Sequence, residues 1–189
     1  MKNREMLQLL LEESGAILKG HFKLTSGRHS NIYFEKFRVI ENPKALSALC
    51  AEIAEHFKDQ VDLVAGPTTG GIIIAFEVAR QMGLNAVYVE TVDGKKTLRR
   101  NATVPENARI LIVDDVLTTG LSVEETAQAI TEAGGVVAGV GVLIDRAPTE
   151  PDFGAPYFAS YKVVAESWDE SEIPDWLNSI PVTKPGTRA

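Results

Sequence analysis

A run of four apolar residues that leads directly into two carboxylates constrains the fold of this chain more than any other segment. Residues 110–113 read I-L-I-V, and Asp114 and Asp115 follow immediately. An apolar run of this length is typical of a strand that is buried on both faces of a parallel sheet. The turn residues 118–120 and a helix-patterned run come next. The segment therefore predicts a strand, a loop and a helix, with polar residues at the carboxyl end of the strand, where ligands bind in open α/β sheets.

Strand and helix patterns alternate through the middle of the chain. Strands are expected at 61–65, 86–90, 110–113 and 136–144, and helices at 42–57, 72–82 and 120–133. This alternation predicts the α/β class, with a doubly wound, mostly parallel sheet flanked by helices. Because the carboxyl ends of parallel strands meet at one edge of a sheet, the polar segments that follow the strands are expected to lie together.

The two ends of the chain have different patterns from the middle. A helix is expected at 3–13, and short strands at 16–18, 22–24 and 31–39 predict a small antiparallel hood beside the main sheet. Prolines interrupt the segment after residue 148, in which 158–164 indicates one more strand. A chain of 189 residues has the size of one domain. We therefore expect a single domain, 1–189, made of a helix and hood (1–41), an α/β core (42–147) and a tail (148–189).

Composition argues against several classes of partner and site. The net charge of −7 argues against a general binder of nucleic acid or anionic membranes. No run reaches the roughly 18 apolar residues of a membrane span, and the N-terminus has no signal-peptide pattern, so a cytoplasmic protein is expected. The single cysteine, Cys50, excludes an intramolecular disulfide and a cysteine-based zinc site. The three histidines lack metal-ligand spacing, so no metal site made of protein ligands alone is expected.

Three polar segments at the predicted edge carry complementary charges. Segment 66–71, G-P-T-T-G-G, is a turn rich in exposed backbone, and 114–122 joins the acid pair to hydroxyl-bearing residues. Segment 91–107 is a long polar stretch, expected to be a loop, with four cations: Lys95, Lys96, Arg99 and Arg100. Glycine-rich turns and helix N-termini bind phosphate groups. Two anion sites beside two carboxylates suit a ligand with phosphate at one end, pyrophosphate at the other, and ribose hydroxyls with a hydrated Mg²⁺ between them.

Each of these segments also has a simpler interpretation. The acid pair and threonines could only cap a helix, although a cap needs one such residue rather than two acids and three hydroxyls. The four cations could belong to a solvated loop, and the sequence leaves that interpretation open.

Two longer segments resemble known families. The stretch I-L-I-V-D-D-V-L-T-T-G-L-S resembles the phosphoribosyl pyrophosphate (PRPP) motif of type I phosphoribosyltransferases. The stretch G-H-F-K-L-T-S-G-R-H-S-N-I-Y-F-E-K resembles the N-terminal hood of orotate phosphoribosyltransferases, and the similarity continues through G-P-T-T-G-G, the basic loop and L-I-D-R-A at 143–147. The resemblance covers roughly residues 15–147. It implies the type I phosphoribosyltransferase fold and transfer of the 5-phosphoribosyl group from PRPP to orotate, giving orotidine 5′-monophosphate and pyrophosphate in pyrimidine (UMP) biosynthesis.

The resemblance also implies roles for individual residues. The implied catalytic residues are Asp114, Asp115, Lys96, Arg99 and Arg100. PRPP would be bound by Asp114, Asp115, Val116, Leu117, Thr118, Thr119, Gly120, Leu121 and Ser122, together with Thr68, Thr69, Gly70 and Lys95. Orotate would be bound by Thr118, Arg146, Ser26, Arg28, Tyr33 and Phe34. Mg²⁺ is the implied cofactor, held mainly through PRPP, and the implied assembly is a homodimer in which the basic loop reaches the neighbouring site.

The chain departs from the family pattern near the pyrophosphate. Many members have a lysine in the loop where this chain has Thr69 and Gly70. Many also carry Arg-Lys where Glu90 and Thr91 stand, and a histidine that segment 91–107 lacks. Because of these departures, the roles of the four loop cations are the part of the resemblance that the sequence supports least.

Three alternatives remain open at this stage. A type I phosphoribosyltransferase could act on another base, although Arg146 and the S-G-R-H-S segment argue for orotate. A non-catalytic PRPP-binding regulator would need a nucleic-acid-binding element, for which an acidic chain has no obvious segment. A phosphorelay receiver also has an acid pair, but near the start of its domain, whereas here the pair lies past the midpoint.

Overall fold

The computed structural model describes residues 2–24, 26–98, 102–163 and 166–184, which form two sheets and the helices that pack on them. In chain order the elements are α1 (Lys2–Glu13), β1 (Ile17–Lys23), β2 (His29–Phe34), α2 (Lys36–Ile40), α3 (Pro43–His56), β3 (Leu63–Pro67), α4 (Gly70–Met82), β4 (Asn85–Val92), β5 (Lys95–Leu98), β6 (Arg109–Leu117), α5 (Leu121–Glu132), β7 (Val136–Asp145), β8 (Tyr157–Lys162), β9 (Ser167–Trp168), α6 (Asp175–Asn178) and β10 (Val182–Thr183). Within these described ranges, no helix is both long and apolar enough to cross a membrane.

The larger sheet has the predicted doubly wound architecture. Its six strands lie in the order β5-β4-β3-β6-β7-β8, and every neighbouring pair is parallel except β4–β5. Strand β6 is an interior strand between β3 and β7, so its carboxyl end has a neighbouring strand on each side. The fold class expected from the sequence, a mostly parallel sheet flanked by helices, is confirmed.

Strand β6 is buried because its alternating side chains enter cores on opposite faces of the sheet. Leu111 and Val113 belong to the cluster that contains residues of α3 and α4. Ile110 and Ile112 pack instead in the clusters that contain residues of α5. All four side chains are fully buried, and burying one such aliphatic side chain stabilises the fold by roughly 1.5–3 kcal/mol. The strand thus provides a rigid base for the carboxylates that follow it.

The hood is a second sheet of four strands in the order β10-β1-β2-β9. Strands β1 and β2 are antiparallel, as expected for the hood, but both outer strands come from the C-terminal segment. The same segment supplies β8, which pairs with β7 in the main sheet. The three-part division of a single domain remains a prediction, and residues 157–183 contribute strands to both sheets.

The strand expected at 31–39 is wrong in its second half. Strand β2 ends at Phe34, and α2 begins at Lys36. The Glu35 carboxylate accepts a hydrogen bond from the Phe37 N–H at 3.3 Å and so caps the helix. The helical turn then buries Val39, which is 1% exposed, in the main core.

The loop expected at 91–107 also contains regular structure. Strand β4 continues to Val92, and β5 pairs with it as an antiparallel hairpin. The turn residues Asp93 and Gly94 have positive φ angles of 51° and 79°. An Asp-Gly pair of this conformation is the favoured connection of a two-residue hairpin. Residues 99–101 of this segment lie outside the described residues.

Two buried histidines join the hood strands to the C-terminal segment. The His21 Nε2 and His29 Nδ1 atoms are 2.6 Å apart, and His21 Nδ1 is 3.1 Å from the carbonyl oxygen of Ile180. Because a carbonyl oxygen only accepts hydrogen bonds, His21 Nδ1 carries a proton, and His21 Nε2 and His29 Nδ1 share one hydrogen bond between them. His29 Nε2 is buried without a hydrogen-bond partner among the described residues, so a proton added there would be unsatisfied.

We expect the fold to lose stability as the pH falls below about 6.5, the ordinary pKa of histidine. Burial, followed by the charges of His21 and Lys23, lowers the pKa of His29, and Glu170 opposes the shift. The unfolded chain therefore binds a proton that the folded chain excludes, so the stabilisation is complete above the unfolded-state pKa and decreases towards the folded-state pKa. The His29→Gln variant should lose part of this dependence, which denaturant titrations at neutral and mildly acidic pH will measure.

The control for this prediction is His56→Gln. The His56 ring is exposed and stacks on Phe158 with a centroid distance of 4.2 Å. Its replacement should leave the pH dependence of the unfolding free energy close to that of the wild type. Equal acid sensitivity in the wild type and His29→Gln would contradict the assignment.

Candidate active site

The two carboxylates of the predicted motif lie at the carboxyl end of β6. Strand β6 stays paired with β7 as far as Leu117, whereas its pairing with β3 ends at Ile112. The Asp114 Oδ1 atom accepts a hydrogen bond from the Asp115 N–H at 2.8 Å. Burial and then the charge of Asp115 raise the pKa of Asp114, while hydrogen bonds from the Asp115 N–H and Ser122 oppose the rise. The acid pair is thus largely buried at the edge where the sequence places it.

Helix α5 begins beside the acid pair with no side-chain cap. Its N-cap residue, Gly120, has a φ of 88°, a conformation that side chains disfavour. A Cβ atom at Gly120 would lie 3.1 Å from the Phe153 ring, so space as well as conformation favours glycine. The first N–H groups of a helix have no partners within the helix, and the helix dipole favours an anion there. The turn at 118–122 therefore fits a phosphate group.

Helix α4 begins on the other side of the acid pair in the same way. Its N-cap residue, Thr69, makes no side-chain hydrogen bond to the helix. The first residue of α4, Gly70, adjoins Asp115 so closely that a Cβ atom there would overlap the carboxylate. Strand β3, which leads into this turn, is the neighbour of β6 in the sheet. Two uncapped helix starts thus lie on either side of two carboxylates, the arrangement that the sequence predicts.

A cavity of about 420 Å³ adjoins Asp115 between the hood and the core. Its lining residues are Tyr33, Phe34, Glu35, Lys36, Phe37, Asp115, Val116, Thr118 and Arg146. Four of the residues expected to bind orotate are therefore brought together, from β2, from the turn after β6 and from the end of β7. A cavity of about 490 Å³ between α3 and α4 is larger, but no predicted site residue lines it. The residues predicted from the sequence therefore favour the smaller cavity as the candidate site.

Arg146 gives this cavity a positive charge. Burial lowers the pKa of its guanidinium group, and the nearby Tyr33 opposes the shift. Among the residues that the structure describes, no carboxylate is within ion-pair distance of Arg146. A guanidinium group binds a carboxylate through two parallel hydrogen bonds, and aromatic walls suit a flat ring. The cavity thus fits a planar, carboxylated ligand.

Comparisons with known proteins agree with this geometry. A family profile described as a phosphoribosyl transferase domain matches residues 39–173. Orotate phosphoribosyltransferases of Desulforamulus reducens and Pelotomaculum thermopropionicum are 40% and 41% identical to this chain over 187 and 186 residues, which is 98% of this chain and 98% of each relative. The chain belongs to the orotate phosphoribosyltransferase family. The resemblance seen in the motifs is thereby confirmed over the full length.

A solved structure extends the comparison to the fold. The crystal structure of orotate phosphoribosyltransferase from Aeropyrum pernix is 26% identical to this chain and has a TM-score of 0.70. The match covers 84% of this chain and 94% of that chain. The type I phosphoribosyltransferase fold expected from the sequence is therefore confirmed, and the family consists of transferases of pyrimidine biosynthesis.

Two of the six residues expected to bind orotate do not line the cavity. Ser26 is exposed in the turn before β2. Arg28 donates hydrogen bonds to the Ser167 carbonyl oxygen at 2.6 Å and to the Asp169 carboxylate at 2.9 Å. In this structure Arg28 therefore holds β9 beside β2 within the hood, and a role for Ser26 or Arg28 in orotate binding stays a prediction.

Lys96 packs against the turn at 118–122 rather than lying in an open loop. Its side chain is 7% exposed, and its ammonium group donates to the carbonyl oxygen and hydroxyl of Ser122, at 2.8 Å and 2.6 Å. Burial lowers the pKa of Lys96, while the charges of Asp114 and Glu125 oppose the shift. The contact ties the β4–β5 hairpin to the first turn of α5.

The other loop cations are placed differently. Lys95 forms an exposed ion pair of 2.8 Å with Glu132, in the last turn of α5. Arg99 and Arg100 lie outside the described residues. The catalytic role of Lys96, Arg99 and Arg100 and the PRPP contact of Lys95 therefore stay predictions.

One charged residue of the site was missed in the sequence. The Lys36 Nζ atom lies 2.9 Å from Asp115 Oδ2, and the two side chains are 43% and 10% exposed. Lys36 fell inside the strand expected at 31–39, and only its place two residues after Phe34 hinted at the site. An ion pair with a half-exposed partner stabilises a protein by about 1 kcal/mol or less. Ligand hydroxyls can therefore compete with Lys36 for the carboxylate.

Proposed function

We propose that this chain transfers the 5-phosphoribosyl group of PRPP to orotate at the cavity beside Asp115, forming orotidine 5′-monophosphate and pyrophosphate. The observation that carries the proposal is the set of charges around this cavity. Two uncapped helix starts flank an acid pair, and Arg146, which pairs with no carboxylate of the described residues, stands in the adjoining aromatic space. Membership of the orotate phosphoribosyltransferase family supports the same reaction.

Each group of the two substrates has a place in this arrangement. The turn at 118–122 would bind the 5′-phosphate, and Thr68, Thr69 and Gly70 would bind the pyrophosphate. The ribose hydroxyls would face Asp114 and Asp115. Orotate would lie between these groups and the hood, with its carboxylate on Arg146 and its ring beside Tyr33 and Phe34.

The proposed reaction exchanges one bond at the anomeric carbon of the ribose. The bond from this carbon to the pyrophosphate oxygen breaks, its electron pair leaves with pyrophosphate, and a ring nitrogen of orotate forms the new bond. Orotate is already an anion near neutral pH, so the site needs no strong general base. Catalysis then depends on positioning and on charge stabilisation, in which the acid pair favours positive charge on the ribose.

The carboxylates also fit a magnesium ion. Asp114 and Asp115 offer oxygen ligands, which Mg²⁺ prefers, and the described residues contain no group of three or more His, Cys, Asp and Glu able to hold a metal. A PRPP-bound ion that shares the oxygens of the acid pair would satisfy this donor set. When bound, Mg²⁺ would supply positive charge that stabilises the leaving pyrophosphate.

A homodimer is proposed for this chain, as the family resemblance implies. Helices α2 and α4, which adjoin the site, expose the apolar side chains of Phe37, Ile73 and Phe76, and the last is 64% exposed. Exposed apolar surface of this kind often marks a contact with another protein. Sedimentation of the purified protein at assay concentration tests the proposal, and a monomer would contradict it. A cytoplasmic location also remains a prediction from the sequence.

The assay that tests the function follows orotate depletion and pyrophosphate release with PRPP and Mg²⁺. We expect both with orotate, and much slower release with uracil, adenine or hypoxanthine. Faster release with a purine would favour a phosphoribosyltransferase for another base. Tight binding of PRPP without pyrophosphate release from any base would favour a regulator.

A further inference from the structure

The Lys36 ammonium group lies where the acid pair meets the turn before α4. Its Nζ atom is 2.9 Å from Asp115 Oδ2, and the same carboxylate adjoins Gly70. Helix α2 closes this corner, because a Cβ atom at Gly70 would also lie 3.1 Å from Ile40 Cδ1. A positive charge is thus held at the junction of three parts of the site: the acid pair, the proposed pyrophosphate turn and the cavity.

We propose that Lys36 contacts the substrate: its ammonium group leaves Asp115 when PRPP binds and donates instead to the pyrophosphate oxygen at the bond that breaks. The inference rests on the proposed function and deepens it by naming a cation at the leaving group. Electrons of the broken bond go to pyrophosphate, Lys36 stays protonated, and orotate supplies the new bond to the anomeric carbon. No further reactant is needed.

The hydrogen bonds of Asp115 give a reason for Lys36 to leave this carboxylate when PRPP binds. Asp115 Oδ1 already accepts the Val116 N–H at 2.7 Å, so Oδ2, which holds Lys36, is the oxygen less committed to the main chain. A ribose hydroxyl that donates to this oxygen competes with the ammonium group. PRPP also brings the negative charge of its pyrophosphate to the adjacent turn, so the displaced cation finds a new partner nearby.

The positions of the two cations assign them to different anions. Arg146 follows β7 and lies near Tyr33, and its planar group suits the orotate carboxylate. Lys36 starts α2 and pairs with the Asp115 carboxylate, which lies against Gly70. An ammonium group is a compact point charge that suits a phosphate oxygen. The geometry therefore pairs Lys36 with pyrophosphate and leaves the carboxylate to Arg146.

The described loop lysines do not occupy this position. Lys95 is paired with Glu132, and Lys96 is held by Ser122. Of the lysines and arginines that the structure describes, Lys36 and Arg146 line the cavity. In this arrangement Lys36 supplies positive charge next to Gly70 without any movement of the β4–β5 hairpin.

The test compares Lys36→Met and Lys36→Arg with the wild type. We expect Lys36→Met to lower kcat about 100-fold, since removing one group that stabilises transition-state charge costs a factor of this order. The orotate KM should change by no more than about threefold, because orotate carboxylate binding depends on Arg146. Lys36→Arg should recover most of kcat. The matched control, Arg38→Met, removes an exposed cation of the same helix that pairs with Glu41, and it should retain wild-type kinetics.

Binding measurements separate a substrate contact from a purely structural role. With Lys36→Met, we expect the Kd of magnesium pyrophosphate to rise about tenfold or more, since a charge-assisted hydrogen bond is lost. The Kd of ribose 5-phosphate should stay equal or fall, because the ribose hydroxyls no longer compete with the Lys36 ammonium group for the Asp115 carboxylate. A higher Kd for ribose 5-phosphate with unchanged pyrophosphate binding would overturn the proposal, as would a wild-type kcat. Failure of the wild type to use orotate would count against the proposed function alone, because pyrophosphate binding would still test Lys36.

Discussion

Asp115→Asn is expected to lower kcat for orotate phosphoribosylation by about 10³-fold, with the fold intact. The amide has nearly the same size as the carboxylate but removes negative charge from the point where the ribose gains positive charge. It also removes the ion-pair partner of Lys36. Steady-state kinetics at saturating PRPP and orotate will measure the loss, and circular dichroism with thermal melting will report the fold.

The matched control for this variant is Asp62→Asn. Asp62 accepts hydrogen bonds from the main chain and guanidinium group of Arg109, at the start of β6 and therefore at the opposite end of the same strand. These hydrogen bonds lower the pKa of Asp62 to about 2. The control should keep wild-type kcat. A kcat for Asp115→Asn close to that of Asp62→Asn would remove the acid pair from the proposed catalytic site.

Arg146→Met is expected to raise the orotate KM by about 100-fold or more, because it removes a charge-assisted, two-pronged hydrogen bond to the carboxylate. The methionine side chain keeps much of the apolar stem, so the walls of the cavity should remain packed. The preference for orotate over uracil, which lacks the carboxylate, should fall by a similar factor. Initial rates with both bases at several concentrations will measure this change.

Arg80→Met provides the control for the loss of an arginine. Arg80 is exposed on α4, pairs with Glu77 and is not one of the described residues that line the cavity. It should keep both the orotate KM and the preference over uracil. If Arg146→Met lowers kcat but leaves that preference unchanged, then Arg146 does not bind the carboxylate.

The sheet could be predicted because its information is local. The run at 110–113 and the alternation of strands with helices depend only on neighbouring residues, and they predicted the position of β6 and its carboxylates. The helix α2 could not be predicted, because the apolar residues at 32–40 satisfy a strand pattern as well as a helical one. The β4–β5 hairpin had a local signal in Asp93 and Gly94, but the charges around it favoured a loop.

The site depends partly on contacts between residues far apart in the chain. Lys36 and Asp115 are 79 positions apart, so no local pattern links them. In the sequence Arg28 lies in a polar turn and Arg146 follows a strand, and only the tertiary structure shows that Arg28 is held by Asp169 while Arg146 is free of carboxylates among the described residues. Burial of Lys96 on Ser122 likewise depends on how the hairpin packs against α5.

The outer strands of the hood have a consequence for synthesis of the chain. Strands β1 and β2 leave the ribosome early, but among the described residues the strands that cover their outer edges are β10 and β9, from the C-terminal segment. Until those strands emerge, the nascent hood presents unpaired edges, which are prone to associate with other chains. The hood, which carries Tyr33 and Phe34, would therefore be completed last. As the chain is shortened from its C-terminus, binding of orotate should be lost before binding of PRPP.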